Sequence, residues 1–142
     1  MPVLTDPLGW FTLRFPDHWR QEVDDHVTIL HSIHGTVYIS GGRHAGGKQA
    51  SFGGADFLAR FLRSIGLDIA ERDISGSSGP GCRIFYYRRE TDGNDWRYWS
   101  VTDDETALLI SYACEARDSG KEAADVDELI ASVRLFHSAP VC

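Results

Sequence analysis

The stretch Gly42-Arg43-His44-Ala45-Gly46-Gly47-Lys48-Gln49 comes nearest to a chemical motif in this 142-residue chain. It has the G-x-x-x-x-G-K spacing of a phosphate loop, in which backbone N–H groups and a lysine cradle phosphates. The pattern breaks at Gln49, where a serine or threonine would hold magnesium. A phosphate loop also runs straight into a helix whose N-terminal N–H groups face the anion. Here helical periodicity begins only near Ala55, and no apolar strand ending in aspartate offers a second magnesium ligand. Arg43, His44 and Lys48 therefore carry an alternative reading: an enzyme or small-anion binder using the Gly-rich loop 41–54.

The remaining reactive residues do not assemble into a known constellation. Five histidines lie early, His18, His26, His31, His34 and His44. His26 and His31 differ by an odd number, so a regular strand points them to opposite faces. There is no HExxH or HxH, and surface or turn positions account for the cluster better than a metal does. Ser100 or Ser111 with His31 lacks any nucleophile-elbow context. Cys82, Cys114 and Cys142 form no CxxC pair, which points to free thiols rather than a disulfide framework or zinc knuckle. No cofactor and no metal are expected, and an enzymatic reading has no motif behind it.

One set of residues has the composition of a binding surface. Phe85, Tyr86, Tyr87, Trp96, Tyr98 and Trp99 fall within a short stretch, interleaved with Arg83, Arg88, Arg89 and Arg97. Trp, Tyr and Arg dominate the energetics of protein interfaces. About half of these rings belong in a core beneath helices, and the rest should stay wet. Tyr87, Arg89, Trp96, Arg97, Tyr98 and Trp99 are the candidate docking residues for another protein. A homodimer through the same apolar surface is a third reading.

The elements that must position these residues follow from periodicity. Phe11, Leu13 and Phe15 alternate with Thr12 and Arg14, as in a half-buried strand ended by Pro16. Val27–His31 and Thr36–Ser40 give two more strands around the His34-Gly35 turn. Ala55–Ile65 puts Phe57, Leu58, Phe61, Leu62 and Ile65 on one helical face, and Gly66 stops it. Leu67–Ser75 is expected as a strand, and residues 75–81 (SGSSGPG) as a plain turn. Cys82–Glu90, Asp95–Val101 and Thr106–Cys114 form a meander through the turn at Thr91-Asp92-Gly93-Asn94. The most apolar of the three, Thr106–Cys114, is expected at the centre of the sheet. In such a meander Cys82 and Cys114 lie on the order of 25 Å apart, beyond disulfide reach. Ser119 and Glu122 have capping-box spacing before a final helix of about four turns, with Ala123, Val126, Leu129, Ile130 and Val133 inward. This order specifies an α+β fold: a twisted antiparallel sheet of about six or seven strands with two amphipathic helices, expected as a single domain over residues 1–142.

Composition sets the outer limits. The net charge is −7, and residues 92–128 hold eleven acids against three bases. Such a surface repels phosphate backbones, so nucleic acid is not an expected partner. No stretch approaches the ~20 apolar residues needed to span a bilayer, so no membrane insertion is expected. The start, MPVLTDPLGW, lacks the marks of a signal peptide, and a cytoplasmic location is expected.

The block Gly9-Trp10-Phe11-Thr12-Leu13-Arg14-Phe15-Pro16-Asp17-His18-Trp19 resembles the opening of PsbP-like domains, a superfamily that includes bacterial DcrB-type proteins. The shared pattern is an apolar strand, proline, a short polar step and tryptophan. The family usually shows glycine before the tryptophan, where this chain has His18. The later order of helix, meander and terminal helix is also similar. The resemblance supplies no catalytic residue, since most members of the superfamily bind partners or have no known role; together with the missing catalytic constellation and the aromatic-arginine hairpin it leads to the expectation of a non-catalytic protein-binding module, such as an adaptor, chaperone or immunity-like protein.

Overall fold

Alternation of apolar and polar side chains builds the principal strands of the chain. The structure, a computed structural model, describes residues 2–44, 52–79 and 81–136. The strands are β1 (Val3–Thr5), β2 (Phe11–Arg14), β3 (Arg20–Asp24), β4 (Val27–His31), β5 (Gly35–Arg43), β6 (Ser75–Gly79), β7 (Cys82–Thr91), β8 (Asn94–Thr102), β9 (Thr106–Glu115) and β10 (Arg134–Leu135). The helices are α1 (Ala55–Ser64) and α2 (Ala123–Ala131). Seven strands form one antiparallel sheet in the order β3-β4-β5-β9-β8-β7-β6, which places β9 at its centre. β1, β2 and β10 form a separate three-stranded sheet.

Strand alternation gives the large sheet two faces with different covers. Its inner face carries Leu30, Val37, Ile39, Trp99, Val101, Leu108, Ile110 and Tyr112. These pack with Leu4, Phe11 and Leu13 of the small sheet and with Val126, Leu129, Ile130 and Val133 around α2. The other face is capped by α1, whose Leu58, Ala59 and Leu62 close over Tyr98 and Ile69. Gly66 follows the helix at φ +95°, the left-handed stop that glycine tolerates. Ahead of α1, Ser100 donates to the Gly53 carbonyl (2.5 Å) and Thr102 to the Phe52 carbonyl (2.6 Å), so polar side chains of β8 fasten the helix start to the sheet.

Three local expectations are overturned. The strand expected over Leu67–Ser75 is extended chain and a 3-10 turn at Glu71–Asp73, with Leu67, Ile69 and Ile74 turned toward the α1 cluster. The expected turn contains β6 instead. Serine and glycine have low strand propensity, but β6 is held by its ladder to β7, from Ser75↔Tyr86 to Gly79↔Cys82. The capping box is absent as well. Ser119 donates to Asp95 Oδ2 (2.9 Å), and Glu122 accepts from Tyr112 Oη and Ser32 Oγ, both at 2.7 Å. Tertiary partners have taken both side chains, and α2 runs only nine residues.

Candidate functional site

The β7–β8 hairpin turns at Asp92 (φ 53°) and Gly93 (φ 79°), two left-handed residues that match the twist of the strands. Its register pairs Tyr87 with Tyr98 and Arg89 with Trp96. Tyr87, Arg89, Trp96 and Tyr98 therefore share the α1 face, while Arg88, Arg97 and Trp99 point to the inner face.

On the α1 face the burial is graded. Tyr98 is only 6% exposed, beneath Phe61 of α1 (ring centroids 6.4 Å apart). Trp96 stacks nearly parallel on Tyr98, at 6.1 Å and 8°. It is half-buried, as are Tyr87 and Arg89. The register carries this row across the sheet, from Trp96 to Ala113 of β9 and Thr36 of β5, and from Tyr98 to Ser111 and Tyr38. Tyr38 is 40% exposed. Beyond it, Val27, Ile29, His31, Thr36 and Ser40 are all half-buried. The β3–β4–β5 side of this face is thus a wet, partly apolar sheet surface that begins where the cover of α1 ends. His31 is held there by Glu22 (2.7 Å).

The inner face at the same hairpin carries an ionic cluster around one buried carboxylate. Asp95 is fully buried and accepts from Arg88 Nε (2.9 Å), Arg97 (3.3 Å) and Ser119 Oγ (2.9 Å). Burial alone would push its pKa up. The hydrogen bonds from Ser119 and Arg88 and the charges of Arg97 and Arg88 outweigh this and hold it below the usual carboxylate value. Trp99 is 5% exposed and packs on Tyr86, with centroids 5.3 Å apart. The six candidate docking residues are therefore divided. Trp96 reaches the open surface across Ala113, while Tyr87 and Arg89, on β7, lie on the far side of β8 from it. Tyr98 supports Trp96 from below. Arg97 and Trp99 face the other way, and Trp99 and Tyr98 have little area left to present. Adjacent strand positions cannot share a face, which separates Arg97 and Trp99 from Trp96. Tyr38 and Ile29 were not singled out from the sequence, although the parity of Val37 and Ile39 already places Tyr38 opposite the core.

The Gly-rich loop offers less. Arg43 donates to Thr106 Oγ1 (3.0 Å) and to the Phe136 carbonyl, and its guanidinium lies 5.3 Å from the Trp10 ring. His44 packs edge-on to Phe52 (5.4 Å), and Lys48 lies outside the described residues. Among the described residues no three His, Cys, Asp or Glu side chains converge as metal ligands. Ser111 and His31 share a face but sit two strands apart, about 10 Å at ordinary strand spacing. Ser100 is fully buried on Gly53. Burial raises the pKa of both Cys82 and Cys114, which are free thiols. No described helix is long and apolar enough to cross a membrane.

No family model matches the chain, and no curated protein matches it in sequence. Solved structures do match its fold. A solution structure of cyanobacterial PsbP from Synechocystis superposes with a TM-score of 0.70 at 9% identity, over 95% of this chain and 92% of that one. A crystal structure from Bacteroides thetaiotaomicron superposes with a TM-score of 0.68 at 16% identity, covering 97% of this chain. This chain spans about half of that protein's length (49%). The fold is PsbP-like, as the resemblance of the block Gly9 to Trp19 implied.

Proposed function

We propose that this chain is a non-catalytic binding module that docks another protein on the open side of the α1 face, with Trp96 and Tyr38 as aromatic anchors and with Arg89 and Tyr87 flanking the Trp96–Tyr98 row on the β7 side. One observation carries the reading. The aromatic row Tyr98–Trp96 starts beneath α1 and continues, through Ala113 and Ser111, onto a sheet surface whose apolar residues are only half-covered. Partly apolar surface held on a rigid sheet, with Trp, Tyr and Arg at its border, is the composition of an interface centre. The commitments of Arg43 to Thr106, Trp10 and Phe136 count against the alternative of an anion site in loop 41–54.

The test is capture of a partner by tagged protein from extracts of the source cell. Trp96→Ala and Tyr38→Ser should each weaken capture by at least about 30-fold, the size of an interface hot spot. Arg60→Ala, on the outer side of α1, should not change it. Unchanged capture by the first two variants, with the fold verified by circular dichroism, would remove the proposed surface. Light scattering on the isolated chain separates a foreign partner from a second copy.

A further inference from the structure

Between the turn joining β1 to β2 and the β3–β4 hairpin, the described residues leave the inner face of the large sheet unfilled. A cleft of about 470 Å³ opens there, with Leu8, Trp10, Phe11, Val23 and Ile39 among its walls. That volume lies in the ~300–1,000 Å³ range of small-molecule sites. Gly41 explains part of the space. It occupies an inner-face position of β5 where a Cβ would stand 3.0 Å from Leu108 Cδ2 and 3.7 Å from the Trp10 ring. The rim is apolar and exposed, with Leu8 at 65% and Val23 at 55%. Exposed large apolar residues around a concavity mark a binding site more often than scattered ones do.

The walls are fixed in place. Asp6 Oδ2 accepts from the Trp10 N–H (3.0 Å), and the Gly9 N–H donates to the Asp6 carbonyl (2.9 Å). The Arg43 guanidinium braces the indole. The charges of the lining are carboxylates, Asp6 and Asp25. Among the described residues the one ionisable base of the lining is His26, 3.5 Å from Asp25, and both side chains stand at the rim in solvent, 93% and 84% exposed.

We propose that this cleft binds a small hydrophobic cation, its aliphatic or aromatic body against Trp10 and Ile39 and its ammonium toward the carboxylates of the two walls, Asp6 from the β1–β2 turn and Asp25 from the β3–β4 hairpin. The site is separate from the docking surface, since it lies on the other face of the sheet, and neither reading depends on the other.

The experiment compares 4-phenylbutylammonium, 4-phenylbutanol and 4-phenylbutanoate by amide and indole chemical shifts of the ¹⁵N-labelled full chain. The cation should shift Leu8, the Trp10 indole, Val23 and Thr28 saturably and bind about threefold more tightly than the alcohol, the effect of one solvent-exposed ion pair. The carboxylate should bind more weakly still. Asp25 has φ 55°, a conformation asparagine accepts, so Asp25→Asn removes charge without backbone strain. It should bring the cation to within error of the alcohol, and Leu8→Ser should weaken all three probes. Shifts located elsewhere, equal binding of the three probes, tightest binding of the carboxylate, or no saturation by about 10 mM would overturn the proposal.

Discussion

Asp95→Ala should cost about 3 kcal/mol of stability, because it leaves a buried guanidinium without its counter-charge. The two arginines contribute unequally. The Arg88 side chain is 41% exposed and can turn to water, so its share is under ~1 kcal/mol. That of Arg97 is 15% exposed and shares a face with Trp99, so it bears most of the desolvation. Ser119 also loses its acceptor, which removes one of the ties between the segment before α2 and the hairpin and leaves the Ala116 N–H bond to the Gly93 carbonyl (2.7 Å). With a urea m-value of ~2 kcal/mol/M for a chain of this size, the midpoint should fall by ~1.5 M at unchanged m. Adding Arg97→Ala to Asp95→Ala should cost less than Arg97→Ala alone by at least ~1 kcal/mol. A loss below ~1 kcal/mol, or strict additivity, would refute the reading of this cluster as one coupled unit.

The same carboxylate sets an acid limit. Its pKa is depressed in the folded state, so its contribution is complete above the unfolded value near ~3.9 and is lost as pH falls through the lower folded value. The stability gap between wild type and Asp95→Asn should therefore be flat around neutral pH and close below about pH 4. Tyr112 sets the alkaline counterpart. Burial first, then its hydrogen bond to Glu122 and that carboxylate's charge, push the phenol well above its ordinary value. Its contribution is present below the unfolded value near ~10 and is lost above it, so Tyr112→Phe should flatten the fall in stability above about pH 10 in chemical denaturation. Trp99→Ala should cost ~3–5 kcal/mol as a core truncation, whereas half-buried Trp96→Ala should cost clearly less in the same assay. Gly53→Ala should cost over ~1 kcal/mol by thermal melting, because at φ +72° its Cβ would stand 2.6 Å from the Ala107 Cβ.

What the sequence disclosed depended on how local the physics was. The meander, the central position of β9, α1 and its glycine stop all follow from alternation, helical period and turn residues, which act within a few positions. The second sheet was not legible, because β10 is two residues long and exists through its pairing with Phe11 and Thr12, more than 120 positions away. β6 was misread for the same reason: its ladder, not its side chains, makes it a strand. At the candidate site, strand parity by itself divides the six residues, with Tyr87 and Arg89 on one side of their strand and Trp96 and Tyr98 on the side of theirs that Arg97 and Trp99 do not share. It could not say that α1 stops at Tyr98 and leaves Trp96 at the edge of its cover. That boundary depends on where Leu58 and Leu62 land, and the hydrogen bonds of Ser100 and Thr102 to residues 52–53 decide it.

A photo-crosslinker replacing Tyr38, on the uncovered sheet surface, probes the docking surface most directly. In the source cell it should give a discrete adduct with one protein, weakened by Arg89→Glu and Trp96→Ala, while the same crosslinker at Arg60 gives none. Adducts at position 60 but not at 38, or an adduct at 38 indifferent to Arg89 and Trp96, would contradict the assignment of the open sheet face as the place where a partner binds.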